Sequence, residues 1–160
     1  MNTLDFFLLL FVIFCVKHFI ADGPLQTAWM LRKYSAKWDF FKPLFVHSAI
    51  HGILTIAIVL FVNPRLWWLG LIDLVSHFVM DRVKAGPKYM GRWKALSGAE
   101  YMGIITSIEE FKDSKNNELI LATQMFQRKL KANTYFWWCL TIDQAWHHLT
   151  SVFVIWYLLR

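Results

Sequence analysis

The chain is poor in cysteine and in charge. Among 160 residues there are two cysteines. Cys15 and Cys139 both lie inside apolar runs, which excludes a disulfide-stapled secreted domain. Asp, Glu, Lys and Arg together make up 18% of the chain, where soluble domains carry about 25%. Disorder needs low hydrophobicity and high charge, so it is excluded too. The sequence has no P-loop, no dinucleotide-binding glycine fingerprint and no serine nucleophile elbow. It shows no internal repeat and no low-complexity tract. Apolar residues are what it has: 57% are hydrophobic and 18% aromatic. The length predicts one domain, residues 1–160. A soluble domain of this size would struggle to hide so much apolar surface.

A membrane-spanning helix needs about 20 mostly apolar residues. Four runs qualify, at 4–22, 44–62, 66–83 and 135–159. The expected fold is all-α, an integral membrane four-helix bundle with amphipathic helices at the interface. The first run has no basic leader and no small-residue cleavage site, so it reads as a retained helix rather than a signal peptide. Lysine and arginine set the orientation. Segments 21–42 and 82–133 hold fourteen of them, and the hairpin near residue 64 and the two termini hold two. Both termini are therefore expected outward, with the basic segments cytoplasmic, in a bacterial inner membrane. The net charge of +6 is read as this topology signal and not as a nucleic-acid footprint.

The cytoplasmic segments also carry apolar patterns. Trp29, Met30, Tyr34, Trp38 and Phe41 predict a helix lying in the interface over residues 26–41. Residues 114–131 read as amphipathic and continuous with the fourth span. Gly86, Gly91, Gly98 and Gly103 are expected to break the stretch between them.

All six histidines fall within or at the ends of the spans. Ionisable groups there are costly and tend to be functional. Four aspartates join them, and four pairs stand four residues apart: His18 with Asp22, His47 with His51, His77 with Asp81, and Asp143 with His147, with Asp73 one turn further along the third span. Residues four apart share a helix face, so every span carries one such pair. The topology brings the pairs to one depth, with Asp22, His47, Asp81 and Asp143 in an outer layer. His18, His51, His77 and His147 form the deeper layer. Mixed imidazole and carboxylate ligands suit one or two divalent transition metals, Zn, Mn or Fe. A single intramembrane His is most often an interhelical hydrogen-bond partner, and His148 is assigned to that role. Asp73 is either a general base or a group orienting His77. A proton relay without metal and a set of structural polar contacts are the alternative readings of the cluster.

The stretches 18–26, His47 with His51, 77–84 and 143–147 resemble a family of small bacterial and phage membrane proteins. It is catalogued as domain of unknown function 3307. The family pattern combines a His–Asp element followed by Leu-Gln, a paired-His helix, an H-x3-D-x2-K element and D-Q-x2-H. Gly23-Pro24 departs from it, and residues 88–131 have no counterpart in it. The resemblance implies the membrane fold but no established activity. Lipid phosphatase motifs are incomplete here, because Ser97-Gly98 is followed by Ala99. The desaturase His boxes fail at Asp143.

The expected function is metal-dependent hydrolysis of an amphipathic or phosphate-bearing substrate, at a site open to the cytoplasm. A bound metal lowers the pKa of its water to about 7. His18, Asp22, His47, His51, His77, Asp81, Asp143 and His147 are the expected ligands. Asp73 or Asp143 is the expected general base. Lys17, Gln26, Arg82 and Lys84 are the expected contacts to an anionic head group. Two alternatives remain: ion or proton translocation through the same residues, and a non-catalytic protein that modulates another membrane protein. The expected partners are the lipid bilayer and an anionic lipid or phosphate-bearing substrate. No nucleic acid is expected, and self-association into a homo-oligomer is left open.

Overall fold

The computed structural model describes residues 2–112 and 114–160, and among these there is no β-strand. Five α-helices account for most of the chain. α1 is Thr3–Asp22, and it starts at Asn2 with a capping box shared with Asp5. α2 is Phe41–Val62. It ends at Asn63, whose side chain accepts from the Arg65 backbone N–H at 3.2 Å and starts the 3₁₀ turn Pro64–Leu66. α3 is Leu69–Ala85, α4 is Gly98–Phe111 and α5 is Asn117–Leu158.

α1, α2, α3 and α5 pack in a closed ring. Each touches two neighbours, in the order α1–α2–α3–α5–α1. The α2–α3 contact is the tightest because two glycines face each other. A Cβ on Gly52 would lie 2.8 Å from the carbonyl oxygen of Gly70. Small residues let helix backbones approach closely in this way.

The ring has two unlike halves. Toward the chain termini it is filled by Leu10, Phe14, Val59, Leu69, Val154, Ile155 and Leu158. Toward the other end the buried side chains are polar: Lys17, His18, His47, His51, Asp73, His77, Asp81, Asp143 and His147. The outer surface is apolar, with Phe61 92% exposed and Leu4, Ile53, Val75, Val79 and Leu149 all facing out. Two segments, Thr3–Asp22 and Trp38–Val62, are long and apolar enough to cross a membrane by length and composition. α3 and α5 carry aspartates and histidines that lower their hydropathy, and Asp73, His77, Asp81, Asp143 and His147 all point inward.

Several expected boundaries move. The second helix begins at Phe41, not 44, and the third runs 69–85 instead of 66–83. The helix expected over 26–41 is replaced by two 3₁₀ turns, Met30–Tyr34 and Trp38–Phe40. The cause is Lys33, which is drawn inward to Asp81 at 2.7 Å. A helix lying flat in the interface could not deliver it there. The glycines at 98 and 103 do not break the chain but lie within α4. Ser97 supplies the overlooked start signal. Its hydroxyl accepts from the Glu100 N–H at 3.2 Å, and the Glu100 carboxylate accepts from the Ser97 N–H at 2.8 Å. That reciprocal pair is a capping box. The Ser97 backbone and hydroxyl donors hold the Glu100 carboxyl below its ordinary range. α5 is a single helix of 42 residues, so the amphipathic stretch and the apolar run at 135–159 are continuous, as expected.

Candidate metal centre

α1 and α2 build the first part of the site. His18 and Asp22 lie one turn apart at the end of α1, and His47 and His51 lie one turn apart near the start of α2. The Asp22 carboxylate is the hub. Its Oδ1 is 3.0 Å from His51 Nε2 and 3.3 Å from His47 Nε2, and its Oδ2 is 3.1 Å from His18 Nε2. Only the His51 contact is aligned as a hydrogen bond. His18 Nε2 and His47 Nε2 are buried without a hydrogen-bond partner. Donor atoms around one ion at about 2.1 Å sit roughly 3.0–3.4 Å from each other, which is the spacing seen around Asp22. Asp22, His47 and His51 can each offer one atom to a common ion.

α3 and α5 build the second part. Asp81 lies between the two histidine helices, with Oδ2 3.1 Å from His47 Nε2 and Oδ1 3.5 Å from His147 Nε2. His147 Nε2 is also 3.3 Å from Asp143 Oδ1. Asp81, Asp143 and His147 form a second group of possible ligands. Deeper in the ring the imidazoles stack: His51 on His77 at 3.7 Å and His77 on His147 at 4.0 Å between centroids. All eight residues of the four spaced pairs therefore meet in one cluster. His148 lies outside it, exposed and near Phe11.

Three lysines enter the cluster, and each takes one carboxylate. Lys17 donates to Asp73 at 2.7 Å and to Thr55 at 3.2 Å. Lys33 donates to Asp81 at 2.7 Å and to Gln26 at 3.0 Å. Lys84 donates to Asp143 at 2.6 Å. Among the described residues Asp22 receives no ammonium, and its side chain is 35% exposed while those of Asp73, Asp81 and Asp143 are buried. An unneutralised carboxylate facing three imidazoles is the position in this cluster that best suits an added cation.

The remaining site candidates fall at its edges. Asp73 lies one turn beyond His77, with Oδ1 3.1 Å from His77 Nδ1. The hydrogen bond that holds the imidazole runs from His77 Nδ1 to the Asp73 backbone carbonyl at 3.1 Å, and the Asp73 carboxylate is tied to Lys17 and Thr55. Arg82 turns away from the cluster. Its guanidinium covers the Phe40 ring at 3.5 Å and donates to the Ser35 carbonyl at 3.1 Å. Lys84 borders a small cavity of about 60 Å³ with Tyr34, Trp93 and Phe136. Lys33 and Thr55 are the members that reading the pattern passes over. Their partners are distant in sequence, and neither stands in a spaced pair.

The family model described as a protein of unknown function (DUF3307) matches residues 10–160. The chain belongs to this family. The match includes all eight clustered residues, and it also spans residues 88–131, which the sequence pattern had set apart as an elaboration. No curated protein and no solved structure matches the chain.

Proposed function

We propose that this is a multi-pass inner-membrane metallohydrolase, with α1, α2, α3 and the later part of α5 as its four spans. The observation that carries the reading is the Asp22 carboxylate, which faces three imidazole nitrogens at 3.0–3.3 Å and has no ammonium partner. Two histidines and one carboxylate with an open fourth position form a catalytic rather than a structural ligand set. Asp22, His47 and His51 are the ligands of one divalent transition metal. His18 Nε2 faces the second oxygen of Asp22 at 3.1 Å. A metal held there would supply a water of lowered pKa and polarise the scissile group. His147, set between Asp81 and Asp143, is the group placed to act as general base and acid.

The apolar outer surface and the inward-facing polar groups support the membrane placement. At 1.5 Å per residue the 42 residues of α5 reach about 63 Å. A hydrocarbon core of about 30 Å leaves the Asn117 end on the cytoplasmic side with the basic segments. The apolar plug of Leu10, Phe14, Val59 and Val154 favours a site closed toward the outside over a transport path, because a conducting route needs polar groups through that half as well. The basic residues at the open end favour a phosphate-bearing amphiphile as substrate.

The test is release of phosphate or of the apolar leaving group from phosphate-ester amphiphiles by purified protein in detergent. Activity is expected to disappear with a chelator, to return with Zn, Mn or Fe, and to fall by at least a hundredfold in His51→Ala. Activity that survives both the chelator and His51→Ala would overturn the reading.

A further inference from the structure

The segment between α1 and α2 has a second side. Its inner side sends Lys33 to Asp81, while its outer side lines a cavity of about 590 Å³ with Trp29, Arg32, Trp38, Phe41 and Lys42. Arg32 and Lys42 form no ion pair among the described residues. Asp39 also lines the cavity and accepts from the Ser35 hydroxyl at 2.5 Å, so the lining carries two cations against one carboxylate. The wall is held in place: Arg82 clamps Phe40 and the Ser35 carbonyl, and Phe40 stacks on Trp38 at 5.8 Å. Trp38 is 82% exposed. Two unpaired cations beside indole rings suit a phosphate diester with apolar substituents. The cations take the phosphate oxygens, and the rings lie at the level where headgroup meets hydrocarbon.

We propose that this cavity is the seat of an anionic phospholipid headgroup, with its phosphate between Arg32 and Lys42. The inference rests on the membrane placement proposed above. It does not require hydrolysis. Lys42 precedes His47 by five residues, about 8 Å along α2, so a lipid seated here lies on the outer side of the same end of α2 that carries His47 inward. A resident lipid then also braces the turn that carries Lys33.

The test is native mass spectrometry of protein purified in detergent and exposed to equal amounts of phosphatidylglycerol and phosphatidylcholine. Wild-type protein is expected to retain phosphatidylglycerol at least fivefold over phosphatidylcholine. The Arg32→Gln/Lys42→Gln double variant is expected to lose that preference. An Arg128→Gln/Lys129→Gln variant removes the same charge from α5 and is expected to keep it. Millimolar inorganic phosphate is expected to leave the retained lipid in place. Equal retention of the two lipids by wild type, an unchanged preference in the Arg32/Lys42 variant, an equal loss in the α5 variant, or displacement by free phosphate would each overturn the proposal. Metal content is measured on the same samples. Metal without lipid preference sinks the lipid seat alone, and lipid preference without metal sinks the hydrolase alone.

Discussion

Lys33 and Asp81 meet at 2.7 Å inside the helix ring, 48 residues apart in sequence. Asp81 also faces His47 and His147. An ammonium group therefore occupies one oxygen of a carboxylate that belongs, with Asp143 and His147, to the second group of possible ligands. Lys33→Met frees that oxygen. Wild-type protein saturated with Zn is expected to hold one ion per chain, and Lys33→Met is expected to hold a second one. Elemental analysis after gel filtration measures it. One ion per chain in both proteins would show that Lys33 is not what limits the count.

Lys17 and Asp73 form the deepest ion pair, with Thr55 completing it at 2.6 Å from Asp73. Both side chains are almost fully buried. Removing one partner of such a pair leaves an uncompensated charge and costs about 3–5 kcal/mol. Lys17→Met and Asp73→Asn are each expected to lower the melting temperature in detergent sharply. The double variant is expected to recover much of the loss, because no charge is left unpaired. Additive losses in the double variant would mean that the pair is not coupled.

The close approach of α2 and α3 depends on Gly52 and Gly70. A Cβ on Gly52 meets the Gly70 carbonyl at 2.8 Å and the Leu74 Cβ at 2.9 Å. Neither neighbour is a flexible chain end, so the helices must part. Gly52→Ala is expected to cost about 1–3 kcal/mol of stability and to weaken metal retention, since His51 adjoins the contact. An unchanged melting temperature would contradict the packing described.

The pairs four residues apart were legible because the helix period acts locally: residues i and i+4 share a face whatever the rest of the chain does. His18 with Asp22 and Asp143 with His147 follow from that period alone, and the ring of helices brings the pairs together. Lys17 and Lys84 were read as head-group contacts and Lys33 was passed over, and none was legible as the partner of a buried carboxylate. Each reaches its carboxylate across 48 to 59 residues, and no local pattern encodes such a partner. The turn at 30–34 shows the same limit. Its aromatic spacing suggests a helix, but the pull of Asp81 on Lys33 outweighs that propensity. α4 was readable in principle, since Ser97 and Glu100 stand at capping-box spacing. Two glycines masked it.

The cap of α4 offers a local check. Ser97→Ala removes the hydroxyl that accepts the Glu100 N–H. Amide exchange in the first turn of α4 is expected to speed up by roughly fivefold, the usual effect of losing such a cap. Exchange in α2 should not change. Unaltered protection at residues 99–102 would show that the box contributes nothing.

Topology is tested by single-cysteine labelling in a background without Cys15 and Cys139. Probes at Asn63 and after Arg160 are expected to react from the outside, and a probe at Asn116 only after permeabilisation. The reverse pattern would turn the open end of the site outward and remove the cytoplasmic assignment.

The central claim is a single transition-metal ion held by Asp22, His47 and His51. Elemental analysis of detergent-purified protein after metal-replete expression tests it most directly. Wild type and Lys88→Gln are expected to carry about one Zn, Mn or Fe per chain. Asp22→Asn and His51→Ala are expected to fall below about a tenth of that while still running as folded protein on gel filtration. Metal-free wild-type protein, or full occupancy in Asp22→Asn, would contradict the account.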